Sequence, residues 1–224
     1  MRILTPPSVP PFEGNSAISI AIAGKNVTGV RNQRHIGLLY KSITGRPLLL
    51  HLGWHHQLYH EEWNNKYHRT DVTQLDLELQ ETFADWVSIV ASNESNREIP
   101  YSVIFSPYPK FDETGKYIDR KDGSGLTCAT FVLAAFEAFK IPLIDSDSWP
   151  KRRAGDFTWI RKILGKLRQY ITQYEFLEQF RRRHELKRFR PEDVAAAAFV
   201  FDGLPVLFEQ ASEIGVNLVK ELPD

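Results

Sequence analysis

One cysteine and two histidines carry the clearest chemistry in this 224-residue chain. Cys128, the only cysteine, lies in "GSGLTCATFV" (123–132), where a glycine-rich turn runs into an apolar helix. A thiolate attacks carbonyl carbon, but a free thiol is mostly protonated at neutral pH. The positive end of a helix and a neighbouring histidine both lower its pKa. Gly123 and Gly125 permit a tight approach to the helix start, and Ser124 or Thr127 can cap it. A cysteine there also leaves backbone N–H groups free to face an oxyanion. The same residues admit a plainer account. Free cysteine often packs as a small hydrophobe, and Cys128 shares a helical stripe with Val132, Ala135 and Phe139.

The histidine must come from elsewhere. His184 is the only one downstream, inside "RRRHELKR", a highly charged face ill suited to a positioned base. Upstream, His35 in "RHIGLLYKS" (34–42) and His51 in "RPLLLHLGW" (46–54) fall on two strand candidates. Gly45 in the short connection suggests a hairpin. With the odd-length connection Ile43-Thr44-Gly45, Ser42 pairs with Arg46, and His51 sits opposite Gly37. His51 is then diagonal to His35 on the same face, within reach of two long side chains. One imidazole could serve as base and the other orient it. An even-length connection would put them on opposite faces. His55 or an acidic residue could also take the orienting place.

The elements around these residues suggest an α+β chain. "AISIAIAG" (17–24) reads as a buried strand, and "IPYSVIF" (99–105) as another. Leu75, Leu79, Phe83, Val87 and Val90 predict a helix over 71–93, with Asp71 or Thr73 as N-cap. Residues 106–125 read as a long surface loop, and 127–140 as the cysteine helix, stopped by Pro142. Helices are expected at 156–170, 172–188, 191–201 and 204–220. Strands first and helices last favour α+β over an alternating fold. The expected division is an extended lead-in (1–14), a core (15–148), and a helical extension packed on it (149–224).

"RHIGLLY…LLLHLGW" followed much later by "GLTCATFV" resembles the circularly permuted branch of the NlpC/P60 papain-like cysteine hydrolases, which includes lecithin:retinol acyltransferase-like proteins. In that branch a His-x-Gly strand comes first, a second polar residue lies on the next strand, and the cysteine opens a later helix. The resemblance covers about residues 17–140. It implies a papain-like fold, with an antiparallel sheet packed on the cysteine-bearing helix. It also implies His35 as base, His51 as orienting residue and Cys128 as nucleophile. The expected activity is a cysteine hydrolase or acyltransferase, a thiol protease or amidase, acting on a peptide or lipid-like acyl substrate. Acyl transfer of this kind needs no metal or organic cofactor.

Other chemistry is less well supported. "HLGWHHQLYHEEWNNKYH" (51–68) spaces His51 and His55, and His56 and His60, four apart, which on a helix would make metal pairs. No His-Glu-x-x-His or nearby cysteine completes a zinc set. No G-x-S-x-G, G-x-x-x-x-G-K-[ST] or G-x-G-x-x-G occurs, so a serine nucleophile elbow and a nucleotide loop are not expected. Net charge is zero but unevenly spread. Residues 150–190 hold 13 Lys/Arg against four acids, a local +9 that leaves −9 on the remainder. That basic region, with Trp159, Tyr170, Tyr174 and Phe180 among it, supports an alternative: a non-catalytic module engaging an anionic partner such as nucleic acid. A solvated or internally docked basic face is the simpler account. No stretch approaches the ~18 apolar residues of a membrane span, and the first 14 residues lack a signal-peptide apolar core, so a cytoplasmic location is expected.

Overall fold

The computed structural model describes residues 2–14, 16–25, 33–72, 74–105, 108–184 and 186–223. The fold is α+β. Five strands, β1 (Ile18–Ala23), β2 (His35–Lys41), β3 (Pro47–Trp54), β4 (Gln57–Glu62) and β5 (Tyr67–Asp71), form one antiparallel sheet in the order β4-β3-β2-β1-β5. The helices are α1 (Leu77–Ser92), α2 (Cys128–Ala138), α3 (Asp156–Leu167), α4 (Gln173–Arg182), α5 (Pro191–Val200) and α6 (Phe208–Glu221).

Alternation divides the sheet into two unequal faces. Ile18, Ile20, Ile22, Ile36, Leu38 and Leu50 join the main hydrophobic core. On this side α1, α2 and α5 pack against the strands, and α6 packs on α5. The C-terminal helices therefore contribute to the same core as the sheet. The other face carries a smaller cluster of Ala21, Ala23, Leu39, Leu49 and Tyr67, covered by Phe12 and Trp63. His35, Gly37 and His51 belong to this second face by their parity with Leu39 and Leu49.

The β2–β3 hairpin has the register that its three-residue connection predicts. Ser42 N donates to Arg46 O at 2.8 Å, and Gly45 takes φ +79. Leu38 pairs with Leu50 and Leu39 with Leu49, so one step further His51 faces Gly37. The glycine is required by that neighbour. A Cβ at position 37 would lie 2.7 Å from His51 Cβ and 2.9 Å from the Leu50 carbonyl oxygen. Gly37→Ala is therefore expected to cost about 2 kcal/mol of stability by overpacking, a fall in Tm of about 4–8 °C for a chain of this size. Thermal unfolding followed by circular dichroism checks this; an unchanged Tm would contradict it.

Several elements differ from the sequence expectation. The helix over 71–93 begins only at Leu77, capped by Asp76, whose carboxylate accepts from Leu79 N at 2.8 Å. Asp71 instead ends β5, and the alternative cap Thr73 lies outside the described residues. The strand expected at 99–105 reduces to one bridge, Tyr101 to Leu126, because Pro100 has no N–H to extend a ladder. The helix expected at 172–188 stops at Arg182, and residues 186–190 are not helical. The residue before Pro191 is disfavoured in the helical region, and Arg188 and Arg190 turn inward onto Asp156. The last helix starts at Phe208, after Gly203 and Pro205 break the chain. The proline-rich lead-in is partly anchored: Thr5 and Arg69 exchange backbone hydrogen bonds at 2.8 and 3.0 Å, and Ile3 and Leu4 are buried.

Candidate active site

Cys128 is the first residue of α2, and the turn before it is tightly built. Leu126 N donates to Pro100 O at 3.0 Å, and Ser102 N to Leu126 O at 3.1 Å. Gly125 makes that approach possible, since a Cβ there would lie 2.3 Å from Pro100 O. Of the two cap candidates, Thr127 does the capping. Its hydroxyl accepts from Thr130 N at 3.2 Å, while Thr130 Oγ1 accepts from Thr127 N at 2.7 Å. The next amides, of Cys128 and Ala129, have no intrahelical acceptor. The Cys128 N–H is shared between the Tyr101 hydroxyl and the sulfur, and the Ala129 N–H faces the sulfur.

His35 and His51 meet across the hairpin diagonal. His35 Nε2 lies 2.7 Å from His51 Nδ1, and the rings stand edge to face with centroids 4.7 Å apart. His51 Nε2 lies 3.3 Å from Glu61 Oε1 on β4. Glu61 comes into reach through the β3–β4 turn at His55 and His56 together with a register shift between Leu52 and Trp54, which set His51 opposite Tyr59 and Glu61 one diagonal further. An ionised carboxylate only accepts, so His51 Nε2 carries the proton and donates to Glu61. His51 Nδ1 is then a lone pair that accepts from His35 Nε2–H. The Nδ1 of His35 is left as the unprotonated nitrogen, the form a base needs.

Both histidines and Cys128 line one cavity of about 770 Å³, with Trp54, Tyr67 and Tyr101 in its walls. Cys128 is 8 % exposed and each histidine 6 %. Among the described residues no hydrogen bond joins either imidazole to Sγ; the backbone N–H of Ile36, next to His35, faces the sulfur instead. Such catalytic contacts often close only once substrate is bound.

The thiol is not the low-pKa group expected of a helix start. Burial pushes it up to about 11, against the pull of the Ile36, Ala129 and Cys128 amides and the Arg188 guanidinium. Desolvation of a thiolate outweighs the helix-end field here. Burial, aided by the neighbouring His51, also holds His35 down at about 3. His51 is lowered by burial too, with Glu61 opposing. At neutral pH the resting site is thus a thiol beside two neutral imidazoles, not a thiolate–imidazolium pair.

The other candidates fall elsewhere. The four-apart histidine pairs lie on strand, turn and strand, so helical spacing does not bring them together. His55 Nδ1 accepts from Tyr101 N at 3.2 Å, and His60 Nε2 lies 2.7 Å from the Tyr40 hydroxyl. Among the described residues no cluster of three or more His, Cys, Asp or Glu could hold a metal ion. His184 stacks on Phe157, and neither lines the cavity. Three cations of the basic region are internally matched to buried carboxylates: Asp156 receives Arg153, Arg188 and Arg190, and Asp193 receives Arg153 at 2.6 Å. Of its aromatics, Tyr170 lines the cavity and Trp159 lies under the Arg188 guanidinium at 4.2 Å. Among the described residues no helix is long and apolar enough to cross a membrane.

Sequence reasoning missed Glu61 as the third member of the row, along with Tyr67, Tyr101 and Arg188. Glu61 was not recoverable from the two-residue turn at His55–His56, which by itself would set Glu61 opposite Leu50 on the other face; the register shift between Leu52 and Trp54 brings it to His51. The others depend on contacts between distant segments. No family model, curated protein or solved structure matches the chain.

Proposed function

We propose that this chain is a cysteine-dependent hydrolase or acyltransferase of papain-like architecture that cleaves an amide or ester through a thioester on Cys128. The observation that carries this reading is the hydrogen-bonded row Glu61–His51–His35, which ends in the wall of the cavity that also exposes Cys128. As sulfur attacks the carbonyl carbon, the thiol proton passes to His35 Nδ1. The carbonyl electron pair moves onto oxygen, which the positive end of α2 and the Ala129 amide stabilise. Collapse expels the amine or alcohol, which takes the proton from His35. Water, or a second acyl acceptor, then attacks the thioester carbonyl as its proton passes to His35, and the expelled sulfur takes that proton back to restore the resting thiol. His51 keeps the His35 tautomer fixed throughout, and Glu61 keeps that of His51.

Peptide amides, including cell-wall peptides, fit better than lipid esters. The side chains of Gln33, Gln57 and Gln169 line the cavity beside its aromatic walls and can satisfy the backbone of a peptide. The rival reading, a binding module that engages an anionic partner through residues 150–190, loses support at Arg153, Arg188 and Arg190, whose guanidinium groups already face buried carboxylates.

The pH dependence of Cys128 alkylation by iodoacetamide tests the mechanism. With His35 neutral above about pH 3 and the thiol neutral below about pH 11, base-assisted alkylation is expected to be flat from about pH 5 to about pH 9. In His35→Ala the plateau should vanish, and the rate should fall about tenfold for each pH unit below about 11. A wild-type rate that itself follows the thiolate fraction, unaffected by His35→Ala, would favour an inert structural cysteine.

A further inference from the structure

Behind Cys128 the main cavity narrows into a recess of about 50 Å³. Gln33, Arg34, Tyr101 and Cys128 line both spaces, so the two adjoin. The far wall of the recess is Arg188, with Trp159 and Glu192 beside it. One water needs about 10–15 Å³ of such space, so the recess holds a group of about three heavy atoms.

Its charge is positive. Arg34 reaches Glu192 at 3.3 Å, and Arg188 reaches Asp156 at 3.2 Å. Asp156 is shared with Arg190 at 2.8 Å and Arg153 at 3.5 Å, and Arg153 also takes Asp193. Four guanidinium groups therefore face three carboxylates, one positive charge in excess. Arg188 Nε is buried and without a hydrogen-bond partner among the described residues. A planar, bidentate cation with donors to spare is suited to a carboxylate. Cys128 and Ala129, at the start of α2, border the same space, and the positive end of the helix favours an anion there.

We propose that the recess binds a carboxylate carried by the substrate within a few bonds of the scissile carbonyl, with Arg188 and Arg34 as its cationic wall. The substrate class is then an acyl amino acid or short peptide with a free carboxylate beside the cleaved bond. The uneven charge of residues 150–190 acquires a local purpose in this arrangement, since one of its arginines lines the recess beside Cys128. The assignment deepens the acyl-transfer reading and rests on it for the word substrate, but the site can be tested separately.

Iodoacetate and iodoacetamide differ only in a carboxylate against an amide. Both alkylate the same sulfur, so their rate ratio cancels any change in thiolate fraction or in the base. The ratio of iodoacetate to iodoacetamide at Cys128 is expected to exceed that of glutathione by about tenfold or more, the effect of one charge-assisted pair. It should fall in Arg188→Gln and rise in Glu192→Gln, which frees Arg34. A ratio no greater than that of glutathione overturns the proposal, as does a ratio that neither variant changes. Equal loss of both rates in Arg188→Gln would mean that the guanidinium acts on sulfur alone, and also overturns it. Should Arg188→Gln fail to fold, the wild-type and Glu192→Gln ratios decide. A second measurement needs no reactive sulfur. By NMR titration, Cys128→Ala should bind N-acetylglycine at least about tenfold more tightly than neutral N-acetylglycinamide. Inert Cys128 with preserved N-acetylglycine binding would sink the acyl-transfer reading alone; equal binding of the two ligands would sink the recess.

Discussion

In His35→Ala, acetylation of Cys128 by p-nitrophenyl acetate is expected to fall by about 10²–10⁴-fold at neutral pH, the usual contribution of a positioned general base. The large effect follows from the resting state. With the thiol held at about 11, few sulfurs are ionised at pH 7, so nearly every productive attack must shed its proton to a neighbour. In the proposed mechanism His35 is that neighbour; His184, stacked on Phe157, does not line the cavity. His51→Ala should lose somewhat less, because the base survives but its tautomer is no longer dictated. Release of p-nitrophenolate in a burst stoichiometric with chain, and the acetyl adduct located on Cys128 by mass spectrometry, give the readout. A burst undiminished in His35→Ala would overturn the assignment of the base.

The second large effect is on stability in acid. His35 is held at about 3 in the fold against about 6.5 in an unfolded chain. A histidine with a depressed pKa favours the fold fully above about 6.5, and that advantage is lost as pH falls towards about 3. Because each pKa unit corresponds to 1.36 kcal/mol, the full difference is on the order of 5 kcal/mol, and about 3 kcal/mol should already be gone by about pH 4. His51, His55, His60 and His68 are lowered as well and act in the same direction. The contribution of His35 is therefore the difference between wild type and His35→Gln, whose amide can still donate to His51 Nδ1. Urea unfolding between pH 7 and pH 4 should show the variant losing clearly less stability than wild type. Parallel curves would mean that His35 is protonated without cost and is not desolvated as described. At the alkaline end Cys128 acts in the opposite sense: its stabilising effect is intact below about 9 and lost as pH rises towards about 11.

The hairpin was the most legible part of the chain. Three residues between two apolar runs fix the parity of every side chain on both strands, and that alone placed His51 diagonal to His35. The start of α2 was legible for a similar reason, since glycine, threonine and an apolar run are local signals. β4 was not. Gln57, Tyr59, His60, Glu61 and Glu62 are exposed on an edge strand, so no alternation of apolar and polar residues marks it. The thiol pKa was misjudged because the helix end can be seen in sequence, whereas desolvation depends on which distant segments close over the sulfur. Arg188 was hidden for the same reason: its neighbours in the chain read as one long basic helix, and only the fold turns it towards Asp156 and Cys128.

Exposure falls steeply along the row of side chains that starts on β4, from 44 % for the Glu61 side chain to 8 % for that of His51. The wet end is the only one with a definite charge; each later member could in principle hold its proton on either nitrogen. The direction of every hydrogen bond is therefore written at the surface and read at depth. A cation in place of Glu61 would reverse the order. His51 Nε2 would have to accept, His51 Nδ1 would donate to His35 Nε2, and His35 would turn an N–H towards the cavity in place of a lone pair. The exposed edge strand, far from being a passive border of the sheet, sets the polarity of the two buried imidazoles.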